Sequence, residues 1–365
     1  MTGLIVHEWL AKTGGSENVV EALASIFPDA PITSLWDDSP ARFEAGRVSE
    51  TWLARTPLRK SKAIALPLMP LVWRNLREAS ADWVLCSSHL FSHHARFSGE
   101  ARAAPKYVYA HTPARYIWAP ELDGRGNSLF ARAMGVPLKA LDRKRAQEAF
   151  SIAANSAFIQ NRIEMAWGRE SVVIHPPVNV AAFAADSNAA LTNAEESILE
   201  TLPATFILGA SRFVQYKRLD VAISAGLAAG VQVVLAGEGP DAPRLRALAE
   251  EHPGVVTFVP RPSLALLNQL YRRALTYVFP SIEDFGIMPV EAMATGTPVI
   301  ANAIGGASES VKHGSTGALL ESFSPAALRI AVETAAQTQA ADCEARAWEF
   351  DSTVFEKKIL DWIQP

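Results

Sequence analysis

Short apolar runs recur along the chain and alternate with longer stretches in which apolar positions return every three or four residues. Runs of the first kind suit strands buried on both faces, and stretches of the second kind suit amphipathic helices, so the alternation predicts parallel sheets covered by helices. Strands are expected at residues 4–7, 31–35, 83–87, 107–110, 151–154 and 172–175, then at 205–209, 232–236, 255–259, 276–279 and 298–301. The βα unit therefore comes in two sets, and the fold class is α/β with two facing Rossmann-like domains. Between the sets, residues 181–202 are rich in Ala, Asn, Asp, Ser and Glu and carry no aromatic after Phe183, the composition of a linker. The boundary is placed near Val180, giving domains at 1–180 and 181–347. The last segment carries Trp348, Phe350, Phe355, Ile359 and Trp362 at helix-like spacing. That is more apolar surface than a free tail bears, so residues 348–365 are expected to pack back on the first domain.

A length of 365 residues supports two cores better than one. The 34 basic and 38 acidic residues nearly balance, which argues against nucleic acid as a partner and makes any electropositive site local. Cys86 and Cys343 stand in no C-x-x-C pattern, so neither a disulfide framework nor a zinc knuckle is indicated. No basic segment followed by a long apolar one opens the chain, and the apolar stretch at 63–73 falls short of the roughly 20 residues of a spanning helix. A cytoplasmic protein, peripheral on the inner face of the membrane at most, is expected.

Residues 278–291, V-F-P-S-I-E-D-F-G-I-M-P-V-E, run from a strand through a loop into a helix whose first turn is expected to hold Pro289 and Glu291. Glu283 and Glu291 then flank a glycine-containing loop whose backbone amides favour hydroxyl and phosphate oxygens. Taken alone, an acid that complements a helix dipole and a solvated loop acid account for the pair equally well. The segment E-D-F-G-I-M-P-V-E-A-M-A-T-G-T-P-V-I-A resembles the E-x7-E motif of the retaining GT-B glycosyltransferases of family 4. Other matching positions are Gly14-Gly15-Ser16-Glu17, the run from His111-Thr112-Pro113 to Trp118, Asn155-Ser156, His175-Pro176-Pro177, Ser211-Arg212 with Lys217-Arg218, and Gly237-Glu238-Gly239-Pro240. The resemblance spans essentially the whole chain and is nearest to bacterial enzymes of polysaccharide and lipid-linked glycan synthesis, often mannosyltransferases that use GDP-mannose.

The resemblance implies a nucleotide-sugar donor on the second domain and a glycan or lipid-linked acceptor on the first. It assigns Arg212 and Lys217 to the diphosphate, Glu283 to the donor sugar, Glu291 to ribose, and Asp284, Phe285, Gly286, Ile287 and Arg261 to donor contacts. Gly14 and Gly15, after the first strand and ahead of a helix expected from Glu17, permit close approach to a phosphate, although a plain turn accounts for them too. His111 is placed beside the donor sugar in a positioning or catalytic role, and His7, Arg115 and Tyr116 with the acceptor, Trp118 offering a further aromatic face. Arg212 and Lys217 answer a chemical need, because a leaving diphosphate requires positive charge more than a strong base.

No metal or other cofactor is expected. His89 and His93 have the i, i+4 spacing of a helical metal pair, but no H-E-x-x-H pattern and no evident third ligand accompany them and His94, and the sequence has no D-x-D. Gly237-Glu238-Gly239 lacks the third glycine of a dinucleotide fingerprint. The stretch from Arg55 to Arg77 is basic and apolar and suits an anionic membrane surface, and equally an ordinary helix on the first domain interrupted at Pro67 and Pro70. Two rival activities share this architecture: nucleotide-sugar 2-epimerisation, and non-catalytic glycan or nucleotide binding.

Overall fold

The computed structural model describes residues 2–12, 14–119, 129–185 and 191–363, with side chains from residue 135 onward in the third stretch. The chain forms two compact units, Met1–Pro177 with Thr353–Pro365, and Val178–Ser352. Each is a parallel sheet between helical layers.

The first unit holds β1 (Gly3–His7), β2 (Ile32–Ser34), β3 (Val48–Glu50), β4 (Trp83–Ser88), β5 (Lys106–Ala110), β6 (Ser151–Ala154) and β7 (Val172–Val173), in the order β3-β2-β1-β4-β5-β6-β7. Every residue of β1, β4 and β5 is buried. Alternate side chains serve opposite faces, as the pleat requires. Leu4, Val6, Val84, Cys86 and Val108 enter one core, while Ile5, Leu85, Tyr107 and Tyr109 enter the other. That second core also receives Phe355 and Ile359 of the last helix (Ser352–Trp362) and Ile363 just after it, and Trp362 donates its indole N–H to the Ser151 hydroxyl at 2.7 Å.

The second unit holds β8 (Phe206–Ala210), β9 (Gln232–Ala236), β10 (Val256–Val259), β11 (Thr276–Phe279), β12 (Val299–Asn302) and β13 (Gly317–Leu320), in the order β10-β9-β8-β11-β12-β13. Both sheets reverse their winding once, between β1 and β4 in the first and between β8 and β11 in the second. Such a reversal leaves a crevice beyond the carboxyl ends of the two central strands, the usual ligand position in an open parallel sheet.

Several sequence expectations need correction. The division falls between Pro177 and Val178, where the sequence placed it near Val180; Val178 and Val180 pack with Phe183 in the second core and Val178 bridges to Asp351. Trp348 and Phe350 stay with the second unit, and only the chain from Thr353 joins the first. The expected linker contains the helix Asn193–Thr201, started by a reciprocal Thr192–Glu195 capping box; residues 186–190 lie outside the described ones. The basic stretch is a series of short α and 3-10 helices, Trp52–Arg55, Pro57–Lys60, Lys62–Ala65, Leu66–Leu68 and Met69–Arg74, in which Met69, Val72 and Trp73 are buried while Ile64 and Leu71 are exposed. Among the described residues, no helix is long and apolar enough to cross a membrane.

Candidate functional site

In the second unit the central strands β8 and β11 deliver opposite charges to the same crevice. β8 ends at Ala210 and leads through Arg212 to the short turn Gln215–Lys217, after which Arg218 takes a left-handed conformation with φ of 53°. β11 ends at Phe279 and leads through Glu283 to the helix Ile287–Ala294. The Lys217 ammonium lies 2.7 Å from the Glu283 carboxylate, with side-chain exposures of only 13% and 18%, and 5.3 Å from the centre of the Phe279 ring. Arg212 is exposed on the same loop, its guanidinium 3.3 Å from the Tyr216 hydroxyl. A covered ion pair with an exposed guanidinium beside it can exchange partners with an incoming anion at little desolvation cost.

Two loops hold these groups in place, and each depends on glycines. Gly305 (φ of 107°) and Gly306 follow β12, and the Gly306 N–H donates to the Glu283 carbonyl at 2.8 Å. A Cβ at Gly306 would fall on the Asp284 carbonyl, so this approach admits only glycine. Likewise a Cβ at Gly237 or Gly239 would strike the carbonyl of Ser211 or Phe213. The G-x-G of this chain thus brings one loop against the backbone on either side of Arg212. Glu238 between the glycines pairs with Arg261 at 3.1 Å, an exposed contact at the ends of β9 and β10.

The helix at Ile287 starts after Gly286, whose φ of 96° turns the chain, and its leading amides lack intrahelical partners. Glu291 is therefore in the second turn, not the first as the sequence suggested. There burial raises its carboxyl to about 7, and its charge in turn adds to the burial that holds the Tyr277 phenol well above its usual value. Phe285 is buried and packs on Phe350, ring centres 5.5 Å apart, so its side chain anchors the loop from below.

In the first unit the crevice is lined by imidazoles. His7 ends β1, Ser87 is near the end of β4, and His111 follows β5. The Ser87 hydroxyl bridges them, 3.1 Å from His7 Nδ1 and 2.8 Å from His111 Nε2. The His89 ring sits 5.5 Å from that of His7 and 6.2 Å from that of His111. Burial lowers His7 to about 4 against the pull of Glu17, and burial together with His7 lowers His111 to about 3. Both rings are neutral at pH 7, able to orient a hydroxyl and not to act as cations. Beside them Glu8 is fully buried and accepts the backbone N–H groups of Leu90 and Ser92 at 2.9 and 2.8 Å; burial, partly offset by these bonds, raises its pKa. Nothing in the sequence reading singled out Glu8 or Ser87.

Gly14 and Gly15 head a helix that begins at Gly15 rather than Glu17. The buried Glu17 carboxylate folds back to accept the Ala11 N–H at 3.1 Å and fills the space beside Gly14, placing negative charge where a phosphate was expected. Arg115 and Tyr116 are half-buried at the start of the short helix Arg115–Trp118. Trp118 is committed elsewhere. Its indole N–H donates to Asp142 at 2.7 Å, as does that of Trp167. His93 and His94 reach the other oxygen of Asp142 at 3.1 and 3.0 Å, so a third ligand-type group does accompany these histidines, against the sequence expectation. His89 lies apart from them, because 89–94 is a bend leading into the turn Ser92–His94 and not a helix.

Residues 192–347 match the family described as Glycosyl transferases group 1. The chain is 38% identical over 165 residues to a D-inositol 3-phosphate glycosyltransferase of Mycolicibacterium gilvum, covering 42% of this chain and 36% of that protein. It is 30% identical over 232 residues to the Mycobacterium tuberculosis protein of that name, covering 60% and 46%. It thus spans less than half the length of these curated relatives. Among solved structures it is similar to Anabaena Alr3699/HepE in complex with UDP-glucose (TM-score 0.71, 20% identity, 99% of both chains) and to WaaG, a glycosyltransferase involved in lipopolysaccharide biosynthesis (TM-score 0.64, 15% identity, 99% of both). The whole chain therefore has the GT-B fold, and its residues 192–347 carry the sequence pattern of the glycosyl transferases group 1.

Proposed function

We propose that this chain is a retaining glycosyltransferase that moves a hexose from a nucleoside-diphosphate sugar, bound by the second unit, to a glycan or lipid-linked acceptor bound by the first. The observation that carries this reading is the covered Lys217–Glu283 pair at the winding reversal of the second sheet, inside the matched segment. A donor diphosphate beside Lys217 competes for the ammonium and frees Glu283 to accept from sugar hydroxyls. Arg212 adds a planar fork for the same phosphates. Glu291 accepts from ribose hydroxyls, and the leading amides of the helix at Ile287 face donor oxygens. Phosphate neutralisation falls to these groups, with no metal ion invoked. His111 and its partners His7 and Ser87 orient a hydroxyl as neutral groups. The resemblance points to GDP-mannose and to cell-surface polysaccharide or glycolipid synthesis at the cytoplasmic face of the membrane. UDP-glucose, bound in a structure of similar fold, is the competing donor.

The test is thermal unfolding with millimolar GDP-mannose or UDP-glucose, followed by analysis of the products formed with a bacterial lipid extract as acceptor. A donor that binds the native state raises the midpoint. Lys217→Ala should remove that rise and lower transfer by about 10²–10³-fold with the fold intact. Near-normal transfer by the variant refutes the reading. An epimer formed from the donor alone replaces it with the isomerase activity.

A further inference from the structure

The first unit also has a charged cavity, at the opposite end of its strands from the neutral imidazole cluster. It encloses about 300 Å³ and is lined by Arg74, Arg96, Arg102 and Lys106, with Glu148 as the one carboxylate among the described residues. Lys106 opens β5 and pairs in register with Val84 near the start of β4, so the cavity belongs to the amino ends of these strands. Ser87 and His111 lie at their carboxyl ends, about 13 Å away for a four-residue advance along a strand. The cavity is therefore separate from the imidazole crevice, and all its lining residues belong to the first unit.

Its charges do not cancel. Glu148 is shared between Arg74 at 2.5 Å, Lys106 at 3.5 Å and Arg145 at 2.8 Å, the last from outside the cavity. Burial pushes its carboxyl up, but these three cations outweigh the burial and hold it at about 2, so it is already ionised and taken. Arg96 and Arg102 are exposed and have no ion-pair partner among the described residues. Lys106 is buried, and its ammonium donates to the carbonyls of His93 at 2.8 Å and Ala95 at 3.3 Å. Four cations gathered in one small concavity around a committed carboxylate repel one another unless an anion joins them. Two free guanidinium forks at the mouth and an anchored ammonium within suit the several oxygens of a phosphate group.

We infer that this cavity binds a phosphate-bearing ligand, a phosphate monoester or diphosphate, at a site distinct from donor and acceptor. Lys106 and Arg74, which also contacts the His94 carbonyl at 3.4 Å, tie the ligand to the segment 93–95. That segment follows Ser92, whose N–H holds Glu8 at the carboxyl edge, so occupancy is linked mechanically to the imidazole crevice.

The test uses the full chain carrying Lys217→Ala, so that loss of the proposed donor clamp and failure of this site are distinguishable. Calorimetric titration with inorganic pyrophosphate at fixed ionic strength should show binding. Adding R96A and R102A should weaken it by about tenfold or more, whereas R96K with R102K, which keeps the charge, should retain most of it. Both arginines are exposed, so the fold survives. Sedimentation with phosphatidate against phosphatidylcholine vesicles separates the sources: arginine-dependent pelleting with phosphatidate places the phosphate on a lipid, and pyrophosphate binding alone makes it a free ligand. No binding in either arm, or binding indifferent to both arginines, overturns the inference.

Discussion

Glu291→Gln should make the protein more stable at alkaline pH while weakening donor binding. Burial sets the Glu291 carboxyl at about 7 in the folded chain against an ordinary value of 4.5. The folded state thus holds a proton through a window in which the unfolded state has released it. For such a raised acid, stability falls as pH rises from about 4.5 towards 7, and the full penalty applies above 7. The difference between the two values corresponds to on the order of 3 kcal/mol, an upper figure because local relaxation and water reduce it. Glutamine is nearly isosteric and carries no charge, so it removes this penalty. At pH 8.5 the variant should gain about 1–3 kcal/mol, some 2–10 °C in midpoint for a unit of this size. At pH 5 less than about 1 kcal/mol of that should remain. Urea unfolding of both proteins at the two pH values measures the gain, and nucleotide-sugar titration measures the accompanying loss, about tenfold or more if the carboxylate accepts from ribose. A gain equal at both pH values, or no gain at pH 8.5, would show that Glu291 is not buried as a charge.

Other substitutions probe the parts that hold the crevices. Ser87→Ala removes the hydroxyl between His7 and His111 and leaves the buried His111 Nε2 short of a partner, while His7 Nδ1 keeps the Ser87 carbonyl at 3.2 Å, so urea unfolding at pH 7 should show a loss of about 1–3 kcal/mol; unchanged stability would mean that the bridge is not formed. Gly306→Ala keeps an allowed backbone, since its φ is −66°, but drives a methyl into the Asp284 carbonyl; donor affinity by calorimetry should fall at least about tenfold, and parental affinity would separate this loop from donor binding. Ile359→Ala in the last helix should cost about 2–5 kcal/mol, because the side chain is fully buried among Tyr107, Tyr109 and Phe355. A loss below about 1 kcal/mol would place the helix outside the first core.

The two parallel sheets were legible because buried strands are written in apolar runs, and all the strands expected from those runs exist. β3 and β13 escaped notice for physical reasons. Val48-Ser49-Glu50 is a half-exposed edge strand whose side chains need not be apolar. β13 begins with Gly317, whose φ of 142° and contact with the Val299 carbonyl exclude a side chain, so it looks like a turn. The same confusion hid Gly305 and Gly306, whose purpose is seen only against the backbone they touch. Lys217 and Glu283 could be nominated from sequence, but their 2.7 Å pairing depends on β8 and β11 being neighbours, which no local pattern encodes. Glu291 was placed in the first turn because Pro289 suggested the start of the helix, whereas the helix begins at Ile287, two residues before Pro289. Asp142 lies far from His93 and His94 in sequence, so spacing rules could not join them.

The two carboxyl edges use similar strand geometry for opposite electrostatics, and the difference bears on the proposed division of labour. In the second unit, charge is kept near solvent: Lys217 and Glu283 are covered but not sealed, and Arg212 is exposed. A group that must meet a diphosphate and release it gains from incomplete burial, since full desolvation would cost more than the new pairing returns. In the first unit, burial removes charge from His7, His89 and His111 and leaves hydrogen-bonding nitrogens in fixed directions. Neutral, oriented groups suit a hydroxyl, which has no charge to answer and reacts only when correctly aimed. Exchanging the two kinds of edge should fail in different ways. A cation introduced at His111 would attract phosphates without improving aim, and a neutral residue at Lys217 would leave the diphosphate without a partner as it departs.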